Sequence, residues 1–122
     1  MRRETPIAGP LVIKAFKDRE LKALQMILDS GIEFIELGIF GSYARNEYTA
    51  ISDIDILAIV NEHPPRHVSG NLREDLDTIG VDLIYATQNY FDNSDSLFAR
   101  KVREDYIERL KYGEKLLWNC LK

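Results

Sequence analysis

The chain has 122 residues, enough for one domain with a hydrophobic core and too few for two ordinary domains. Hydrophobic residues make up 45% and charged residues 30%, as in soluble domains, and no apolar run approaches the about 20 residues of a membrane helix. The net charge of −4 disfavours direct nucleic-acid binding, which relies on clustered Lys and Arg. We therefore expect a cytoplasmic protein without membrane contact, and the single cysteine, Cys120, excludes an internal disulfide.

The first 15 residues contain features that interrupt regular structure. Pro6, Gly9 and Pro10 lie in this stretch, and a periodic apolar pattern is clear only after it. We predict an N-terminal arm over residues 1–15, followed by a single domain over residues 16–122.

A helix is predicted from Asp18, which can cap the first turn, to Gly31, a residue type common at helix C termini. Two runs typical of strands follow, Phe34 to Phe40 and Asp53 to Val60, and the second is apolar enough for burial on both faces. Between them, residues 42–48 have room for a short helix. The apolar face of the first helix consists of Leu21, Leu24, Ile27 and Leu28.

The second half of the chain begins with a loop over Asn61–Pro65, because consecutive prolines cannot donate ladder hydrogen bonds. A second helix is predicted to end before Gly80, and a third strand covers Val81–Ala86. The core-facing residues of that helix recur at every fourth position, at Val68, Leu72 and Leu76.

The C-terminal part is predicted to be a long helix, capped by Ser94 or Asp95 and ending at Gly113. A short edge strand is predicted after this helix, at residues 116–118. The apolar stripe of the helix is Phe98, Val102, Tyr106 and Leu110.

Two carboxylates stand at the start of the second strand, where an apolar run would be expected. Asp53 and Asp55 are two residues apart, so a strand places them side by side on one face, where they repel unless a cation lies between them. Asp82 occupies the second position of the third strand. Carboxylates together with substrate phosphates are the ligands that Mg²⁺ prefers. Helix capping, pairing with Lys or Arg, and simple exposure to solvent are the alternative explanations of these acids.

Gly41 and Ser42 close the first strand. A glycine allows close approach of the backbone to a ligand, and free N–H groups at a helix start attract phosphate. A plain helix cap is the alternative, since the chain lacks the Gly-Lys-Ser/Thr ending of a P-loop.

Gly41-Ser42, ten intervening residues, Asp53-Ile54-Asp55 and then Asp82 together resemble the nucleotidyltransferase superfamily of DNA polymerase beta and kanamycin nucleotidyltransferase. The pattern most closely resembles the minimal single-domain branch, the MNT proteins, over residues 18–118. The resemblance implies an α/β (α+β) nucleotidyltransferase fold, with a small mixed sheet of three or four strands flanked by about four helices.

The resemblance also implies roles for particular residues. Gly41 and Ser42 would hold the β and γ phosphates of a nucleoside triphosphate. Asp53 and Asp55 would ligate two Mg²⁺ ions, with Mn²⁺ as a possible substitute, and Asp82 would complete one metal site. Arg45 either steadies the triphosphate or pairs with Glu47 on the surface. Asn46 stands where many relatives carry glycine.

The expected activity is therefore transfer of a nucleoside monophosphate, with AMP from ATP as the leading case, to a hydroxyl group. MNT relatives act with a separate HEPN partner, often a ribonuclease toxin, so a hydroxyl of such a partner is the leading acceptor. Two alternatives stay open. One is a non-catalytic antitoxin that docks on its partner or binds nucleotide, and the other is an aminoglycoside-type enzyme with a pocket completed by a homo-oligomer.

Two weaker features have structural explanations as well as functional ones. For the aromatic cluster after the third strand, we favour core packing over stacking on a base, and for the cations of the last helix we favour solvation over phosphate contact. The aromatic residues are Tyr85, Tyr90 and Phe91, and the cations are Arg100, Lys101 and Arg103.

Overall fold

In the computed structural model, which describes residues 9–112, four strands form one mixed sheet in the order β3-β2-β1-β4. β1 pairs antiparallel with both β2 and β4, whereas β2 and β3 are parallel. The α/β fold predicted from the sequence is confirmed. The strands are β1 (Glu36–Phe40), β2 (Ile54–Val60), β3 (Val81–Thr87) and β4 (Ile107–Lys111).

Helices cover both faces of this sheet. Side chains alternate along a strand, so Ile54 and Ile56 of β2 belong to the larger core beneath α1 and α3, whereas Leu57 belongs to the smaller core beneath α4 and α5. The helices of the described residues are α1 (Pro10–Ser30), α2 (Gly41–Ala44), α3 (Arg66–Asp77), α4 (Gln88–Asn93) and α5 (Leu97–Asp105).

The first helix starts earlier than its sequence pattern indicates. α1 begins at Pro10 rather than at Asp18, so residues 10–15, which we assigned to the arm, are helical. Proline is favourable in a first helical turn, because its missing N–H would have no intrahelical acceptor there. The helix ends as predicted, with Gly31 in a left-handed conformation at φ 78° and its N–H donated to the Leu28 carbonyl.

The prediction of a long C-terminal helix was wrong. α5 ends at Asp105, the backbone turns extended at Tyr106, and the chain then forms β4 against β1. The N-cap is Ser96, whose hydroxyl accepts the Ala99 N–H, rather than Ser94 or Asp95. The helical spacing of apolar residues could not reveal this change, because β4 exists only through its pairing with β1.

Two further points concern a short helix after β3 and the edge strand predicted near the C terminus. The short helix α4 was not predicted; the Thr87 hydroxyl caps it by accepting the Tyr90 N–H at 3.1 Å. The edge strand predicted at residues 116–118 lies outside the described residues.

Among the helices of residues 9–112, none has the length and apolar character needed to cross a membrane.

Candidate active site

The three acids singled out in the sequence meet at one end of the sheet. Asp55 of β2 and Asp82 of β3 are direct partners in the parallel register, so their side chains project from the same face. Asp53 lies two residues before Asp55, next to Gly80 at the start of β3. Asp55 is partly buried, whereas Asp53 and Asp82 are exposed. The acids therefore combine one sheltered carboxylate with two that solvent or substrate can reach.

Burial and the two neighbouring acids act together on the Asp55 carboxylate. Partial burial raises the pKa of Asp55 to about 6, and the charges of Asp82 and Asp53 contribute to the increase, while Arg45 opposes it. None of the ion pairs within residues 9–112 involves these three acids. Pairing with Lys or Arg therefore does not explain why they are grouped.

Gly41 brings the backbone against the central acid. Phe40, the last residue of β1, is the register partner of Asp55, and Gly41 follows it with φ 76°. That conformation is left-handed, and a Cβ atom at Gly41 would collide with an Oδ2 atom of Asp55. Both the backbone conformation and the space beside Asp55 therefore require glycine.

The turn that contains Ser42 is held by a buried ion pair that the sequence analysis missed. α2 has only four residues and no side-chain cap, and Tyr43 is its one buried residue. The Tyr43 hydroxyl donates to Glu20 at 2.8 Å, and Glu20, 2% exposed, also accepts from Arg109 at 2.7 Å. A sequence signal was present, because Glu20 lies four residues after Phe16 and thus on the buried stripe of α1.

Arg45 makes the surface pair that was one of its two expected roles. Its guanidinium donates to Glu47 at 2.9 Å and, beyond expectation, to Asp105 at the end of α5 at 2.6 Å. Asn46 adopts φ 62°, the conformation that a glycine at this position would favour. Contact of Arg45 with a triphosphate stays a prediction.

Of the aromatic residues in and after β3, Tyr85 and Phe91 pack against core residues, as expected, and Tyr90 lies on the surface. Tyr85 faces the larger core, away from the acids, and the Phe91 ring packs on Tyr106 at 4.9 Å. Tyr90 is 38% exposed and its hydroxyl bonds with Ser96. A stacking role for these residues gains no support.

The cations of α5 also divide by role. Arg103 donates to the carbonyls of Phe91 and Ser94 at 2.7 and 2.9 Å, so it ties α4 to α5. Lys101 lies 3.8 Å from Glu104 on the exposed surface, in agreement with the expected solvation. Phe98, which the sequence placed on the apolar stripe of this helix, packs edge-on against Phe40 at 6.1 Å and stays 45% exposed on the face that bears Asp55 and Asp82.

The three carboxylates suit a hard cation, such as Mg²⁺, that takes some of its ligands from the protein and others from the substrate. Within residues 9–112, no three His, Cys, Asp or Glu side chains are already grouped as a complete metal site. Mg²⁺, however, is commonly bound by one or two protein carboxylates, with water and substrate phosphates as its other ligands. Asp53, Asp55 and Asp82 fit such a site, because a cation there would offset the burial and the like-charge repulsion that raise the pKa of Asp55. The metal stays a prediction.

Comparison with known proteins agrees with this architecture. The chain is 29% identical over 103 residues to a candidate protein adenylyltransferase of Methanocaldococcus jannaschii, covering 84% of this chain and 92% of that protein. The fold is shared with a candidate nucleotidyltransferase of Sulfolobus solfataricus, with a TM-score of 0.59, 22% identity, and coverage of 85% of this chain and 90% of that one.

The fold is also shared with the structure of tri-AMPylated Shewanella oneidensis HEPN toxin in complex with MNT antitoxin. The TM-score is 0.51, with 16% identity, and the alignment covers 75% of this chain and 69% of that chain. The model of the nucleotidyltransferase domain family matches residues 21–119, which is most of the sequence. This chain therefore belongs to the nucleotidyltransferase domain family.

Proposed function

We propose that this protein transfers AMP from ATP to a hydroxyl group of a partner protein, and that the partner is a HEPN-type toxin. The observation that supports this most strongly is the pairing of Asp55 with Asp82 on one sheet face beside the Gly41 backbone, with Asp53 near enough to act on the pKa of Asp55. Family membership supports the transferase class. The M. jannaschii relative and the AMPylated Shewanella toxin support a protein as the acceptor.

The proposed division of labour follows from exposure and position. Asp53 and Asp55 would hold Mg²⁺, which when bound stabilises the charge that develops on the phosphoryl oxygens. The Gly41-Ser42 turn lies beside Asp55 and would hold the β and γ phosphates. Arg45 is close enough to lower the pKa of Asp55 and can exchange its surface partners for phosphate oxygens.

Asp82 is assigned to the acceptor side because it is the exposed member of the Asp55–Asp82 pair. In the proposed step, the acceptor oxygen forms a bond to the α phosphorus while the bond from that phosphorus to the bridging oxygen of the β phosphate breaks. Pyrophosphate leaves, and the hydroxyl proton passes to the Asp82 carboxylate. Proton transfer to a positioned base contributes about 10² to 10⁴ in rate.

The test uses the purified protein, Mg²⁺, ATP labelled at the α phosphate, and the protein encoded by the adjacent gene. We expect the label on that protein, and intact mass spectrometry should show an added AMP. Mn²⁺ is expected to replace Mg²⁺. ATP labelled at the γ phosphate serves as the control and should leave the protein unlabelled.

Two outcomes would contradict the proposal. Neutralisation of the partner without any added nucleotide would identify a docking antitoxin instead. Transfer of the label to an aminoglycoside, with none to protein, would identify a small-molecule enzyme.

A further inference from the structure

Glu20 of α1 and Arg109 of β4 form an ion pair that is connected to the Gly41-Ser42 turn through Tyr43 of α2. The Arg109 guanidinium donates to Glu20 through two nitrogens, at 2.7 and 3.3 Å. Glu20 is 2% exposed, so its charge is acceptable only because donors surround it. The third donor is the Tyr43 hydroxyl, at 2.8 Å.

Tyr43 is the means by which this pair reaches the turn. α2 is only four residues long and has no side-chain cap, and its other core contact, Ala44, is small and only partly buried. A single helical turn has little stability of its own, because its first hydrogen bond must fix several backbone dihedrals. The orientation of α2 therefore depends on how its one buried residue is held.

Two kinds of contact hold Tyr43: ring packing sets its position in the core, and a hydrogen bond sets its orientation. Its ring packs on Phe16 at 5.6 Å and on Tyr48 at 5.0 Å, which fixes its depth in the core. Its hydroxyl is directed at Glu20, and because burial and the Glu20 charge raise the pKa of Tyr43, the phenol stays protonated as a donor. A hydrogen bond to a charged acceptor is about twice as strong as one between neutral groups, and it requires a defined direction of the O–H.

We propose that Glu20, together with Arg109, is a positioning residue for triphosphate binding that acts through the Tyr43 hydroxyl to fix the Gly41-Ser42 turn beside Asp55. This inference rests on the proposed function, since it assigns the turn to the β and γ phosphates. If Glu20 only stabilised the fold, its loss would weaken the binding of every nucleotide alike; a positioning role predicts a selective effect. Ligands that reach the turn should be affected, and ligands that lack the β and γ phosphates should not.

The experiment compares the affinity of the full-length protein for ATP and for AMP by calorimetry with Mg²⁺. Tyr43→Phe removes the hydroxyl and keeps the ring. We expect it to weaken ATP binding about tenfold and AMP binding less than twofold. Because both ligands are measured on the same preparation, the ratio of the ATP affinity to the AMP affinity is independent of any unfolded fraction.

The matched control is Tyr48→Phe, which removes a hydroxyl from a neighbouring buried ring. Among residues 9–112, Tyr48 contacts Phe16 and Tyr43 through its ring and has no hydrogen bond to Glu20. Its ratio of ATP to AMP affinity should match that of the parent. Glu20→Gln keeps an oxygen that can accept from Tyr43, so its ratio should fall between those of the parent and Tyr43→Phe.

The inference is overturned if Tyr43→Phe leaves the ATP to AMP ratio unchanged, or if Tyr48→Phe lowers it equally. A parent protein that binds neither nucleotide overturns the proposed function itself, and this inference with it. A parent that binds both, with variants that behave alike, overturns the inference alone.

Discussion

Asp55 and Asp82 are register partners across the parallel strands β2 and β3, so two carboxylates far apart in the sequence share one face and one end of the sheet. Asp55 is sheltered and Asp82 is exposed. This difference separates a residue suited to holding a cation from one that an acceptor can reach.

Asp82→Asn should keep most of the ATP affinity, because Asp53, Asp55 and the Gly41 turn are unchanged. Transfer of AMP should nevertheless fall by about 10² to 10⁴, since both the proton acceptor and a metal ligand are lost. A gel assay with labelled ATP measures the rate. A variant that transfers AMP at the parental rate would refute the catalytic assignment.

The double variant Asp53→Asn with Asp55→Asn should lose Mg²⁺-dependent ATP binding, because two of the proposed metal ligands become neutral amides. Calorimetry with and without Mg²⁺ measures this. The matched control is Asp75→Asn with Asp77→Asn, which alters two exposed acids at the same spacing on α3 and the net charge equally. Equal ATP affinity in the site variant and the control would exclude the metal role.

Asp55→Asn should also stabilise the protein at pH 7.5 without Mg²⁺. The folded-state pKa of about 6 lies above the ordinary value of 3.8, so the folded protein holds its proton more tightly than the unfolded chain. The stabilising contribution of Asp55 is complete below about pH 4 and is lost as the pH rises through about 6. A shift of this size corresponds to about 3 kcal/mol, which partial exposure reduces to about 1 to 2 kcal/mol.

Denaturant unfolding of the parent and Asp55→Asn at pH 4 and pH 7.5 measures this effect. The advantage of the variant should be present at pH 7.5 and absent at pH 4. Adding Mg²⁺ at pH 7.5 should stabilise the parent more than the variant. An Asp55→Asn protein that is less stable than the parent at pH 7.5 without Mg²⁺ would contradict the raised pKa of Asp55, and with it the cost of its charge among the other acids.

Gly38→Ala should destabilise the protein by about 1 to 3 kcal/mol, the usual range for overpacking. A Cβ atom at Gly38 would collide with the Tyr106 ring, whose hydroxyl donates to Glu36 at 2.6 Å. This ring also packs on Phe91 at 4.9 Å, so it cannot move away without weakening that contact and the hydrogen bond to Glu36. Thermal unfolding measures the loss.

Gly70→Ala is the control for this glycine substitution. Gly70 lies inside α3, no atom lies within 4 Å of the position that an alanine Cβ would occupy, and alanine favours a helix interior. The substitution should therefore stabilise the protein by about 0.5 to 1 kcal/mol. A Gly38→Ala variant as stable as Gly70→Ala would show that Tyr106 adjusts freely.

Local sequence features determined the elements that depend on their own residues. The second half of α1 and α3 follow from apolar periodicity, β2 follows from a continuous apolar run, and the helix stop at Gly31 follows from the conformational freedom of glycine. The Asp53–Asp55 pair was identified for a similar reason, because two like charges at the start of an apolar strand conflict with its local pattern.

Only the tertiary structure decided what depends on contacts between distant segments. Residues 107–111 continue a helical apolar pattern, yet they form β4 because β1 offers an edge with unpaired backbone groups. The partners of Glu20 were decided in the same way, because Tyr43 of α2 and Arg109 of β4 are distant from it in the sequence. The position of Asp82 beside Asp55 was set in the same way, by the parallel register of β2 and β3, and no local pattern specifies a register between strands joined through a helix.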